Sequence, residues 1–162
     1  MARGWFAVAV HALVLLARSP ESATSGFLAG SVNTHATCLR RVLVTLARAG
    51  LVEAHEGRDG GYRLARPAAE ITLADVYHAT VGEPLLRPNP AAANPRCPIS
   101  VAMSAAFAEI AADAEARFQE ALAQRSLADV ANQVEAPVPG HLPGLAGVWS
   151  EAPPDQIPAA DW

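Results

Sequence analysis

The chain has 162 residues, 51% hydrophobic and 17% charged, which fits one packed domain with a short appendage and excludes a disordered acidic chain or a highly charged coiled coil. All 12 cations are Arg and the formal net charge is −4, a balance that as a whole argues against a nucleic-acid partner. The distribution reverses that argument: residues 1–66 carry eight Arg against four acids, a net of +4, and the rest carries four Arg against twelve acids, a net of −8.

The apolar run at residues 5–17 contains His11 and falls well short of the roughly 20 residues needed to span a bilayer, so no membrane partner is expected. Arg3 before the run and Ser22 and Ala23 after it outline a signal peptide, a reading set aside because the following segments need this helix to cover their core. Trp5, Phe6, Val8, Val10, Leu13, Leu15 and Leu16 place apolar groups nearly all round it, which suits a helix that one small domain rarely encloses alone. Pro20 ends it. Ser25 can cap a short second helix over Phe27, Leu28 and Val32, and Asn33 or Thr34 a third that runs to Ala49 and stops at Gly50. On that third helix Ala36, Leu39, Val42, Leu43 and Leu46 share one face. Thr34, Thr37, Arg40, Arg41, Val44 and Arg48 fall on or near the other.

Residues 51–55 and 62–65 alternate weakly as two strands around Gly57, Gly60 and Gly61, the composition of a hairpin tip. Pro67 ends the second strand. Thr72, three residues before Asp75, opens a helix through about Val81, and Ser126 with Asp129 repeats this capping-box spacing. Residues 82–98 hold five Pro and read as an irregular connection. From Pro98, in a first helical turn, Met103, Phe107, Ile110, Ala111, Ala114, Phe118 and Leu122 recur at spacings of three and four, giving a helix of about 25 residues and about 37 Å. Its neighbours are too short to cover it, and a second copy of the chain is the natural partner. After Ala136, prolines interrupt every element; the tail is expected to be mostly disordered, although Leu142, Leu145, Val148, Trp149 and Trp162 could dock on a groove.

Helix, short turn, basic helix and Gly-tipped hairpin is the order of a winged helix-turn-helix, a mainly α fold with a small β-hairpin wing. Its second helix enters the DNA major groove and its hairpin reaches the neighbouring backbone. Double-stranded DNA is the expected partner, because the Arg fork suits phosphate and guanine while Thr and His supply single hydrogen bonds. On an arbitrary helix Arg40, Arg41 and Arg48 would simply be solvated; the adjoining turn and hairpin favour the DNA reading. The organisation expected is a DNA-binding domain at 1–82, a connection at 83–98, a dimerisation helix with a short C-terminal helix at 99–134, and the tail at 135–162.

The stretch LRRVLVTLARAGLVEAHEGRDGGYRLARPAAEITLADVYHATVGEP, residues 39–84, resembles the Rrf2 family of winged-helix regulators. With the opening and late helices the resemblance covers roughly residues 5–134 and leaves out the tail. It implies a homodimeric bacterial transcription regulator, expected here to be a cytoplasmic repressor on a palindromic operator, with the late helix crossing between subunits. By motif position it implies Thr34, His35, Thr37, Arg40 and Arg41 in the recognition helix, and Arg58 with Gly60 in the wing, as DNA contacts. Several members hold an iron–sulfur cluster through three Cys in the connection before the long helix. Here Cys97 stands in that connection, but six positions to either side are Ala91 and Met103, which supply no thiolate. The resemblance is therefore to the cluster-free branch, no cofactor is expected, and a small-molecule or redox effector is left unidentified by the sequence.

His11 reads as a satisfied core or interface side chain rather than a metal ligand, and two Cys complete no disulfide framework or zinc set. Cys38, at the edge of the buried helix face, reads as a small apolar filler. Cys97 precedes Pro98 at a helix start that favours a thiolate, so it is a candidate redox thiol with Cys38 its candidate partner, provided their α carbons come within about 7 Å. Catalysis would need Cys97 with His11 or His78, and no spacing ties them together, so no enzyme is expected. The remaining alternative is a winged-helix adaptor that binds proteins through its acidic half.

Overall fold

The computed structural model describes residues 4–19, 22–57, 60–86 and 93–134; Arg58 and the tail from residue 135 lie outside the described residues. Along these run α1 (Gly4–Arg18), α2 (Ser25–Val32), α3 (Ala36–Arg48), β1 (Val52–His55), β2 (Gly61–Leu64), a 3-10 turn (Ala68–Glu70), α4 (Leu73–Thr80), α5 (Pro98–Ala123) and α6 (Leu127–Gln133). The fold is mainly helical with one antiparallel hairpin, the class expected from the element order.

The core is built around α1. Ala9, Ala12 and Leu13 are fully buried and Val14, Leu15 and Leu16 nearly so, because α2, α3, α4, β2 and α6 all pack on this helix. The cover for residues 12–16 of α1 therefore comes from its own chain, while Trp5, Phe6, Val8 and Val10 stay half-buried. The element missing from the sequence reading is α6, which follows α5 in the chain yet returns to lie on α1. An antiparallel bridge joins Thr72 to Ser126, with the Leu73 N–H donating to the Arg125 carbonyl at 2.9 Å and the Leu127 N–H to the Ile71 carbonyl at 2.7 Å. Ile71 and Leu127 have no exposed surface, and burying a side chain of that size contributes about 1.5–3 kcal/mol. Both helices beside the bridge begin with the capping boxes read from the sequence. Thr72 Oγ1 accepts from the Asp75 N–H at 3.1 Å and Asp75 Oδ2 from the Thr72 N–H at 2.9 Å; Ser126 and Asp129 repeat the exchange at 3.1 and 2.8 Å.

Two caps differ from expectation. Thr24, not Ser25, caps α2, its Oγ1 accepting from the Phe27 N–H at 3.2 Å. Thr24 has the extended backbone a cap requires, and Ser25 is already helical. Neither Asn33 nor Thr34 caps α3. Asn33 ends α2 in the left-handed conformation, φ 57°, and the Thr34 N–H donates to the Ala29 carbonyl at 3.0 Å, so both close the preceding helix. His35 takes the cap of α3 without a side-chain bond. Between these helices the turn is short and stiff, which fixes the direction of α3.

The hairpin pairs Val52 with Leu64, Glu53 with Arg63, Ala54 with Tyr62 and His55 with Gly61. A third line of backbone was not visible in the sequence. Ala23, just before α2, bridges Tyr62 through hydrogen bonds of 2.9 and 2.8 Å, tying the wing to the start of the helix-turn-helix. A Cβ at Gly61 would stand 2.7 Å from the Ala23 carbonyl oxygen, so this approach needs glycine. By contrast, α5 has no buried residue and rests mainly on α4. Tyr77 links the two sides of that contact, its ring centroid 5.0 Å from Phe118 and 5.6 Å from Phe6. Away from α4 the helix exposes Ile99, Val101, Met103 and Ile110, with Ile99 at 73% and Ile110 at 61%.

Candidate nucleic-acid interface

The packing of α3 decides what its other face offers. Leu39, Val42, Leu43 and Leu46 are buried against the core, which turns Thr37, Arg40, Arg41, Val44 and Arg48 outward, all exposed. Thr37, Arg41, Val44 and Arg48 follow spacings of four, three and four, so they form one stripe about 16 Å long on the helix surface.

Ion pairing then sorts the cations of the N-terminal half. Arg63 is engaged by Glu53 across the hairpin, and Arg66 lies 3.0 Å from Asp75. The Arg63 hydrogen bond is the main cause that holds the Glu53 carboxyl below the usual range. For Asp75, burial acts to raise the pKa, and the hydrogen bonds from Thr72 together with Arg66 outweigh it and bring it below the usual range. Among the described residues no such partner faces the stripe. Arg40 Nε donates to the neutral Ser25 Oγ at 3.4 Å, and neither Arg41 nor Arg48 has a side-chain hydrogen bond or ion pair among the described residues. Among the described residues α3 therefore carries three Arg without an acidic partner, where guanidinium groups can meet phosphate oxygens or base edges.

Thr37 and Arg41 stand on the stripe with Arg40 beside it, and His35 is exposed at its N-terminal end. Thr34 stands apart: it precedes α3, is half-buried and lines a small recess with Trp5, Val8, Cys38 and Val42. Gly60 closes the wing turn, its N–H donating to the Gly57 carbonyl at 3.0 Å. A Cβ there would stand 2.7 Å from the His55 carbonyl oxygen and 2.8 Å from that of Gly57, so this turn needs glycine at Gly60; Arg58 lies outside the described residues. Cys38 and Cys97 are both free thiols, the first in the recess under α3 and the second at the N-cap of α5 with no side-chain capping bond.

Two members of this surface, Val44 and Ser25, were not singled out as contacts from the sequence. Val44, 45% exposed, offers an apolar group between Arg41 and Arg48, suited to a thymine methyl. Arg48 was placed on the outer face by the helical wheel, and its lack of an ion partner emerges only from the packing. Ser25 belongs here through Arg40, a contact between two helices that no spacing along the chain encodes. His11 lies on the exposed side of α1 and shares a hydrogen bond with Ser31 at 3.3 Å, rather than in the core.

Residues 5–133 match the family model of Rrf2, described as an iron-dependent transcriptional regulator. The chain is 32% identical over 131 residues to YwnA of Bacillus subtilis, which is named as an HTH-type transcriptional regulator, and the match covers 79% of this chain and 95% of that protein. A solved structure named as a transcriptional regulator from Lactobacillus plantarum superposes with a TM-score of 0.68 at 25% identity, over 80% of this chain and 89% of the other. IscR from T. potens superposes with a TM-score of 0.63 at 20% identity, over 83% and 88%, and shows the shared fold alone.

The iron in the family description finds no matching donor group among the described residues. Among the described residues no group of three His, Cys, Asp or Glu could hold a metal ion, and the whole sequence contains two Cys where an all-thiolate cluster site needs more. No described helix is long and apolar enough to cross a membrane.

Proposed function

The chain belongs to the Rrf2 family of winged-helix, DNA-binding transcriptional regulators, and from that premise we propose that it is a cytoplasmic repressor that binds a palindromic operator as a homodimer. The observation that carries this reading is the exposed stripe of α3, on which Arg41 and Arg48 lack partners among the described residues, and which Thr37, Val44 and the adjoining Arg40 complete to a surface of groove-reading size. In this reading α3 enters the major groove with His35, Thr37, Arg40 and Arg41 toward the bases. Thr34 supports the helix start, and Gly60 shapes a wing that presents Arg58 to the flanking phosphates.

The dimer is supported by α5, whose exposed Ile99, Val101, Met103 and Ile110 form an apolar surface that a second copy can cover. Two-fold symmetry then requires two half-sites about one helical turn apart. Repression follows if the operator overlaps a promoter, where the bound dimer excludes polymerase. The free thiols Cys38 and Cys97 are candidates for the signal that releases it, tested by operator binding before and after diamide in the native chain and in Cys97→Ser.

The deciding experiment is a mobility shift and footprint on genomic fragments that include the protein's own promoter, paired with sedimentation. A protected palindrome of two half-sites, occupied by a dimer and weakened steeply by salt, is the expected result. A folded monomer, or no shifted fragment at moderate salt, refutes the reading, and the second outcome leaves a protein-binding adaptor.

A further inference from the structure

We propose that Glu115 is a positioning residue that sets the angle of α5 against the DNA-binding unit, and through it the half-site spacing that the dimer selects. This inference rests on the two-fold DNA-binding reading above and deepens it.

The joint at which α5 meets its own chain is small. On the apolar side, Tyr77 and Phe118 meet edge to face at 5.0 Å between centroids, a single ring pair that does not by itself fix the tilt of a helix. On the polar side, Glu115 lies three residues before Phe118. Its Oε2 accepts the Leu85 backbone N–H at 2.7 Å and its Oε1 accepts Gln119 Nε2 at 2.8 Å. Leu85 is itself held close to α4, because Tyr77 Oη donates to the Glu83 carbonyl at 3.2 Å. Tyr77, Glu83, Leu85, Glu115 and Phe118 thus form a closed circuit in which the charge-assisted bonds of Glu115 are the short, directional link. Both donors favour the ionised carboxylate, Gln119 most and Leu85 next, and hold Glu115 below the usual range.

Leverage makes this link matter. From Glu115 back to Pro98, α5 runs 17 residues, about 25 Å, with no residue buried in its own chain, and this arm carries Ile99, Val101, Met103 and Ile110. A tilt of about 8° at the joint moves the far end of the arm by about 3.5 Å, close to the rise of one base pair. An interface built on the arm therefore converts a small angular change at Glu115 into a base-pair step between two recognition helices. Loss of the link should leave each half-site contact intact and blur the distance between them.

The test compares the full-length chain with Glu115→Ala and Glu115→Gln in selections from a randomised duplex library. Circular dichroism confirms that each variant is folded. The native chain should select one spacing and bind sites with one base pair added or removed about fivefold to a hundredfold more weakly. Glu115→Ala should bind all three spacings within about threefold of one another, against that range. Glu115→Gln keeps an acceptor for the Leu85 N–H and should retain most of the native preference. A second readout needs no DNA: spin labels at Thr37→Cys, with Cys38 and Cys97 replaced by Ser, report the distance between recognition helices across the dimer. That distribution should broaden in Glu115→Ala and stay narrow in Glu115→Gln. Unchanged spacing preference and unchanged distance width in Glu115→Ala overturn the proposal, even if the melting temperature falls. Broadening without selection of any DNA by the native chain upholds the joint and refutes the DNA reading, whereas absence of an intersubunit distance refutes both.

Discussion

Gly61→Ala should destabilise the protein although the position lies in a surface hairpin with ordinary strand geometry. The added Cβ would meet the Ala23 carbonyl oxygen at 2.7 Å and the Ala23 carbonyl carbon at 2.9 Å, both backbone atoms that cannot rotate away. Relief to an ordinary contact of about 3.4 Å requires a shift of about 0.7 Å between the hairpin and the segment before α2, which lengthens the two Ala23–Tyr62 hydrogen bonds of 2.9 and 2.8 Å to about 3.5 Å or more and breaks them. Ala23 is buried, so its freed groups do not simply exchange to water, and two bonds at about 1 kcal/mol each give a loss of roughly 2 kcal/mol. With a urea m-value of about 1.5 kcal/mol/M for a chain of this size, the midpoint falls by roughly 1.3 M. Urea titration followed by circular dichroism, at one fixed protein concentration because dimers gain stability by mass action, measures this directly. Gly26→Ala is the internal control: its Cβ would meet nothing nearer than Thr24 Oγ1 at 4.0 Å, and alanine within α2 should stabilise by about 0.5–1 kcal/mol. A Gly61→Ala midpoint equal to that of the native chain would show that the third line of backbone does not hold the wing.

Replacement of Arg41 by Ala should cost about 1–3 kcal/mol in operator binding if it reads a base, while replacement of Arg48 should weaken all sequences alike and lower the salt slope by about one unit; fluorescence anisotropy at several salt concentrations separates the two. Leu127→Ala empties a fully buried position between α6 and the Thr72 bridge and should destabilise by about 2–5 kcal/mol in denaturant titration, whereas an α6 that merely accompanied α5 would tolerate it. Asp75 is ionised more readily in the folded chain than in the unfolded one, so its contribution is complete above the ordinary carboxylate pKa and is lost as pH falls through the lower folded value. Thermal unfolding in acid should therefore show the gap between the native chain and Asp75→Asn closing as pH drops. Reconstitution with iron and sulfide under anaerobic conditions should produce no visible charge-transfer absorption, since the donor set for a thiolate cluster is missing.

Local pattern was enough to determine most of this molecule's elements. Periods of three and four marked the buried faces of α3 and the stripe of α5, two Ser/Thr-x-x-Asp runs marked the starts of α4 and α6, and three Gly marked the wing, because each signal lies within a few residues of the structure it specifies. The outer face of α3 was legible for the same reason, and Arg40 and Arg41 were read from it. Only the tertiary structure decided which Arg remain without partners, since the acids that occupy Arg63 and Arg66 lie 10 and 9 residues away along the chain and meet them through the hairpin and the turn before α4. It also decided that the second half of α1 is covered by its own chain, because the helix that covers it begins more than 100 residues later and the hydrophobic pattern of α1 is the same whether the cover is α6 or a second subunit. Asn33 shows the remaining kind of ambiguity: one side chain suits both a helix start and a left-handed helix end, and the hydrogen bonds to the Ala29 and Gly30 carbonyls select the second. Contacts between segments distant in sequence leave no periodic trace, so the Ala23–Tyr62 bridge and the Glu115–Leu85 link exist only once the chain has folded.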